Sequence, residues 1–133
     1  MIELTAPPFL RPGDRIRVVA PSSPFDRDAF EAGVRLLRTR YEVFHQDDIF
    51  ERKAYLAGDD ARRLLELDDA LADEKARCIL AARGGYGAGR IAYGLGKERI
   101  RSANKWLVGF SDVTALHGAW ANAGVASVHG PMV

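Results

Sequence analysis

Short apolar runs alternate with stretches of helical spacing along this chain of 133 residues. Residues 16–20, Ile-Arg-Val-Val-Ala, predict a first strand, ended by the turn-forming Pro21-Ser22-Ser23-Pro24. Residues 26–38 predict a helix with Phe30, Val34 and Leu37 on one face. Residues 41–45 predict a second strand, and 47–58 a polar, irregular connection. Residues 59–72 predict a helix capped by Asp59 or Asp60, with Leu64, Leu67 and Leu71 on one face. A third strand over 78–82 runs directly into Arg83-Gly84-Gly85-Tyr86-Gly87-Ala88-Gly89. A short helix from Arg90 is cut off by Gly94 and Gly96, and the pattern assigns no element to 97–105. Residues 106–110 predict a fourth strand, 113–122 a helix stopped by Gly124, and 125–129 a fifth strand. Pro7, Pro8, Pro12 and Gly13 predict an irregular lead over 1–14.

Strands alternating with helices imply right-handed crossovers. The expected fold is therefore α/β, a flavodoxin-like, mainly parallel sheet of about five strands flanked by helices. In such sheets the functional loops gather beyond the C-terminal ends of the strands. Three distinctive loops fall there: 21–24, 83–89 and 110–112.

The last of these carries the sharpest chemical signal. In Gly109-Phe110-Ser111-Asp112 an apolar strand stops at a serine and a helical pattern begins at once. A serine on so tight a turn has its hydroxyl pushed out of the sheet, beside free amides at a helix start. A nucleophile with an oxyanion hole needs that arrangement. Serine is also a favoured N-cap, and the stretch lacks the second glycine of the G-x-S-x-G elbow. The glycine loop follows the neighbouring strand, so the Gly85 and Asp112 amides are candidates for a shared oxyanion hole over Ser111. Tight turning and close helix–sheet packing are the competing explanation for those glycines.

Composition narrows the field. Apolar content of 47% and charged content of 28% fit a globular domain. A net charge of +1 with scattered basic residues predicts no nucleic-acid partner and no membrane surface. The lone Cys78 sits in an apolar run and reads as a core residue; with no basic-then-apolar leader, the expected location is cytoplasmic. His45, His117 and His129 lack metal-ligand spacing, so no metal is expected. His117 and His129 read as packed or surface residues.

A second chemistry competes. Gly87-Ala88-Gly89-Arg90-Ile91-Ala92 fits G-x-G-x-x-A, with Asp112 about 20 residues on as the ribose-binding acid. That would make a Rossmann-like dinucleotide-binding domain. The pattern starts late after its strand, and its helix is short and broken by glycine. A non-catalytic module of the same fold is a third class.

Six blocks occur in order: Pro12-Gly13-Asp14-Arg15-Ile16, Val18-Val19-Ala20-Pro21-Ser22-Ser23, Tyr55-Leu56-Ala57-Gly58, Ala82-Arg83-Gly84-Gly85-Tyr86-Gly87, Val108-Gly109-Phe110-Ser111-Asp112-Val113-Thr114-Ala115-Leu116 and His129-Gly130-Pro131-Met132. Together they resemble the N-terminal half of the LD-carboxypeptidases. These serine peptidases include the muramoyltetrapeptide carboxypeptidases and the microcin C self-immunity proteins. The resemblance implies Ser111 as nucleophile, an oxyanion hole from the Gly85 and Asp112 amides, and Arg83, Gly84 and Tyr86 on a substrate loop. It implies a small peptide substrate ending in a D-amino acid, drawn from peptidoglycan recycling, or a peptidyl-nucleotide in the microcin branch. It also implies no cofactor or metal, and a homodimer. The family's triad is Ser-Glu-His. Residues 1–133 are accordingly expected to form the nucleophile-bearing N-terminal domain, with Glu and His in a C-terminal domain outside this chain, which alone is expected to be almost inactive.

Overall fold

Five parallel strands form one sheet: β1 (Arg15–Val19), β2 (Glu42–Phe44), β3 (Ala76–Ala81), β4 (Trp106–Gly109) and β5 (Val128–His129). Their order is β2-β1-β3-β4-β5. The computed structural model describes residues 3–133. The strand order is that of the flavodoxin-like folds, and it places a topological switch point between β1 and β3. Among the described residues five α-helices complete the fold: α1 (Arg27–Leu37), α2 (Asp60–Ala72), α3 (Ala88–Ala92), α4 (Lys97–Ala103) and α5 (Thr114–Asn122).

Alternation along the central strands divides the core into two layers. Val19, Ile79, Ala81 and Leu107 face one side, where they pack against α2 to α5 through Leu67, Ile91, Leu116 and Trp120. Ile16, Val18, Cys78 and Leu80 face the other, where α1 covers them with Phe30 and Val34. Both faces of the central strands are thus covered by the chain's own helices. Two helix starts carry side-chain caps, the second of them expected from the sequence. Asp26 accepts from the Ala29 amide at 2.7 Å, and Asp59 from the Arg62 amide at 2.8 Å.

The differences from the sequence-based reading have local causes. Helix α4 has one buried anchor, Ile100, so Lys-Glu-Arg-Ile-Arg-Ser-Ala shows no apolar period. The expected fifth strand shrinks to Val128–His129, because Val125 leaves the sheet to fill the core and bridges to Thr5. That bridge also ties the N-terminal lead: the Thr5 amide donates to the Gly124 carbonyl, and the Ala126 amide to the Thr5 carbonyl, both at 2.9 Å. A single 3₁₀ turn, Asp47–Phe50, lies within the expected irregular connection and buries Ile49.

Candidate active site

At the end of β4 the chain turns abruptly. Phe110 is extended at φ −146°, and Ser111 follows at φ +61°. A 3₁₀ turn over Ser111–Val113 leads straight into α5. A non-glycine residue in the left-handed region costs about 1–2 kcal/mol, so the surroundings must impose it. Val113 and Leu116 are fully buried and draw the first turn of α5 down onto the sheet. Gly109 makes that approach feasible, since a Cβ there would lie 2.8 Å from Val113 Cγ1 and 3.1 Å from Ala81 Cβ.

The serine does not cap the helix. An N-cap needs extended backbone, whereas the left-handed turn at Ser111 directs its side chain elsewhere. Helix α5 has no side-chain cap, and Ser111 Oγ makes no hydrogen bond among the described residues. The hydroxyl belongs to an exposed residue on the C-terminal edge of the sheet.

The glycine loop lies against this elbow, as expected from adjacent strands β3 and β4. A Cβ on Gly84 would stand 3.1 Å from Ser111 Cβ and 3.3 Å from the Asp112 nitrogen. Gly85 takes φ +105°, which only glycine adopts readily. The Gly85 and Asp112 amides donate to no acceptor among the described residues. The Asp112 carboxylate reaches back to the loop and accepts from the Ala88 amide at 2.9 Å. Tyr86 is exposed and meets Tyr55 edge-on at 5.4 Å between ring centroids. Arg83 turns away toward the β1 loop and donates to the Pro24 carbonyl at 2.6 Å.

Neither nearby histidine is placed as a base. His117 Nε2 lies 2.8 Å from the Gly109 carbonyl, which can only accept, so this nitrogen carries the proton. Its Nδ1, at 2.7 Å, then accepts from the Ser127 hydroxyl. Both ring nitrogens of His117 are thereby spent, one tying α5 to β4 and the other tying it to Ser127 just before β5. The His129 ring packs beside Phe110 and His117, with centroids 6.2 and 6.0 Å away, and among the described residues no carboxylate bonds to it.

The sequence pattern did not reveal what holds the glycine loop from below. Arg63, on α2, is fully buried. Its Nη1 donates to the Pro21 carbonyl at 2.8 Å and the Gly87 carbonyl at 2.7 Å, while Nη2 pairs with Asp60. Burial pushes the guanidinium's pKa down. Its neighbour Arg62 bonds the Ala57 and Ala20 carbonyls at 2.7 and 3.0 Å and pairs with buried Glu66. Burial raises the Glu66 pKa against the opposing pull of Arg62. The available signal was the position of Arg63 and Glu66, four and one residues before Leu67, on the face of α2 that also carries Ala70. Ser23 was missed as well: its hydroxyl accepts from the Tyr86 amide at 3.0 Å.

The dinucleotide reading meets a physical obstacle. Helix α3 has five residues, and its first amide is already bonded to the Asp112 carboxylate. A pyrophosphate would meet a negative charge where it needs free N–H groups. Asp112, the supposed ribose acid, is thereby used inside the fold. Among the described residues no three His, Cys, Asp or Glu side chains gather into a metal site, and no helix is long and apolar enough to cross a membrane. Cys78 is buried in the core as expected.

Comparison with known proteins places this geometry. Residues 16–130 match the family model described as the LD-carboxypeptidase N-terminal domain. A Streptomyces coelicolor protein described as a carboxypeptidase is 43% identical over 99% of this chain and 44% of its own length. A Bacillus subtilis protein described as a murein peptide carboxypeptidase is 36% identical over 96% of this chain and 40% of its own. The chain therefore spans less than half the length of these relatives. Among solved structures, the microcin C7 self-immunity protein in complex with aspartyl sulfamoyl adenosine superposes with a TM-score of 0.86 at 28% identity, over 97% of this chain and 39% of that one.

Proposed function

Because this chain belongs to the LD-carboxypeptidase N-terminal domain family, we propose that it supplies the nucleophile half of a serine carboxypeptidase acting on murein peptides. Ser111 attacks the carbonyl of the amide bond to a terminal D-amino acid. The Gly85 and Asp112 amides hold the oxyanion that forms. The base that takes the Ser111 proton, and the acid that orients it, come from the C-terminal region that the longer relatives possess. The substrate is a cytoplasmic peptidoglycan fragment, and the chemistry needs no cofactor.

One observation carries this reading: Ser111 stands at φ +61° with a hydroxyl that has no partner among the described residues, against a glycine backbone whose next amide has none there either. Capping, the main alternative role for a serine there, would leave the opposite signature. A serine is a weak nucleophile until a base within about 2.6–3.2 Å removes its proton. His117, spent on two other bonds, is not that base.

The similarity to a microcin self-immunity protein favours one variant of the same chemistry, cleavage of a peptidyl-nucleotide amide. The test compares hydrolysis of an LD-tetrapeptide and of an aminoacyl sulfamoyl adenosine. Three proteins are used: the 133-residue chain, the chain with its C-terminal region, and that longer form carrying Ser111→Ala. Turnover of either substrate is expected only in the second. Release of the D-amino acid by the short chain alone, or by the Ser111→Ala protein at an undiminished rate, would overturn the proposal.

A further inference from the structure

The geometry points to Ser23 as a positioning residue that aims the Gly85 amide at the oxyanion site. The inference deepens the reading of Ser111 as nucleophile and rests on it. Ser23 lies on the loop after β1 and is 9% exposed. It grips the glycine loop at two points that bracket Gly85. Its own amide donates to the Gly84 carbonyl at 3.1 Å, and its hydroxyl accepts from the Tyr86 amide at 3.0 Å. A third contact fixes the register between the two loops. A Cβ on Gly85 would fall 2.2 Å from Ser23 Oγ, so the glycine α-carbon rests directly on the serine.

The direction of the Gly85 N–H follows from the peptide plane. The Gly84 carbonyl and the Gly85 N–H belong to one trans peptide unit and point opposite ways. β3 lies between β1 and β4 in the sheet, so the β3 loop has the Ser23 loop on one side and the Ser111 elbow on the other. Drawing the Gly84 carbonyl toward Ser23 therefore turns the Gly85 N–H toward Ser111. The Gly84 α-carbon, packed 3.1 Å by its Cβ direction from Ser111 Cβ, lies on that same side.

A peptide between two glycines has little steric resistance to rotation. Without the hydroxyl's hold on the Tyr86 amide, the Ser23 amide alone restrains the Gly84 carbonyl, and the peptide flips more readily to present a carbonyl where the oxyanion needs a donor. In the role assigned to it, Ser23 needs no contact with substrate or with the reacting atoms. It acts through Gly85, by keeping the donor aimed before substrate arrives.

The test is Ser23→Ala, which removes the hydroxyl and little else. In the enzyme carrying this domain and its C-terminal region, kcat on the LD-tetrapeptide is expected to fall about tenfold to a hundredfold, with KM within about twofold. Loss of a whole oxyanion donor costs about a hundredfold to a thousandfold, and here the donor is loosened, not removed. In the 133-residue chain, the Tyr86 amide, freed from Ser23 Oγ, is expected to exchange with solvent at least about tenfold faster by NMR, with Tm nearly unchanged. An unchanged kcat for Ser23→Ala, in an enzyme that Ser111→Ala silences, would overturn the positioning role and leave the nucleophile standing. Unchanged Tyr86 exchange, or a rate loss matched by a fallen Tm, would overturn it too. Full activity of Ser111→Ala would instead remove the nucleophile reading itself, and the Ser23 role with it.

Discussion

Replacing Arg63 with methionine isolates what a buried charge contributes to this fold. Arg63 has no exposed surface, and its guanidinium spans three segments: the β1 loop through Pro21, the glycine loop through Gly87, and the start of α2 through Asp60. Methionine keeps the apolar stem and much of the volume but leaves the Pro21 and Gly87 carbonyls without that donor. A hydrogen bond from a charged group contributes about 1.5–3 kcal/mol. Two such bonds are lost, with a longer one from Nε to the Gly58 carbonyl at 3.4 Å, partly offset because the desolvation of the guanidinium is no longer required. The net expectation is a loss of about 2–4 kcal/mol. For a domain of this size that lowers Tm by about 10 °C.

Arg90 supplies the internal comparison. It pairs with the same Asp60 at 2.8 Å, but 48% of its side chain is exposed. The Arg90 hydrogen bond is the main cause of the lowered Asp60 pKa. Even so, an ion pair in that position contributes little, because water screens it and two long side chains must be held still. Equilibrium urea unfolding, followed by circular dichroism, reads both variants. Arg63→Met should shift the midpoint by about 1–2 M with an unchanged slope, and Arg90→Met by a few tenths of that. Equal shifts for the two variants would refute the reasoning, since the partner is shared while burial and the carbonyl bonds differ.

Two further outcomes follow from buried titratable groups. Lys105 donates to the Ala70 carbonyl at 2.8 Å and to that of Asp73, and burial lowers its pKa to about 8 from an ordinary 10.5. The unfolded chain binds more protons above pH 8, so stability should rise between pH 8 and 9 and lose that rise in Lys105→Met; a flat profile in both proteins would count against it. Burial pushes the Cys78 thiol up to about 12 from 9.0, so its contribution runs the other way, stability falling as pH climbs above 9. At pH 8, dithionitrobenzoate should label native Cys78 about a thousandfold more slowly than in urea, and labelling at the free-thiol rate would show the site open.

Burial and turn chemistry were legible in the sequence where they repeat. Phe30 and Val34 set the face of α1, the 106–110 run set β4, and the abrupt change at Ser111 marked the elbow. Neighbouring of the two loops followed from strand order alone. What stayed hidden depends on single contacts. Nothing in Arg62-Arg63 distinguishes a solvated pair from guanidiniums that tie three loops. Ser23 differs from Ser22 only in which hydroxyl meets the Tyr86 amide; Ser22 Oγ is buried with no partner among the described residues. Asp112 looked like a ligand-binding acid, and its carboxylate turned out to bind the protein's own α3. A periodic position such as that of Arg63 can mark a polar group as facing the core, but its partners are set by tertiary geometry and not by neighbours in sequence.

The strained serine shows how such contacts convert packing into a chemical property. Relaxing Ser111 to extended backbone would return about 1–2 kcal/mol locally, and it would also allow the hydroxyl to cap α5. Both changes would require the chain to leave β4 along a different path. That path is fixed at Gly109, whose carbonyl receives His117 Nε2 at 2.8 Å and the Gly130 amide at 3.2 Å. Two residues past the serine, Val113 is fully buried, and Leu116 follows one turn later. Burying each of these side chains contributes about 1.5–3 kcal/mol, so lifting the first turn of α5 to relieve the serine loses more than it gains. Asp112 adds a further restraint by holding the Ala88 amide at 2.9 Å, which ties any shift of the elbow to a shift of α3. The unpartnered hydroxyl is thus a consequence of core packing on both sides of it. A serine free to choose its conformation would satisfy its own oxygen, and one held in the left-handed region leaves that oxygen without a partner among the described residues.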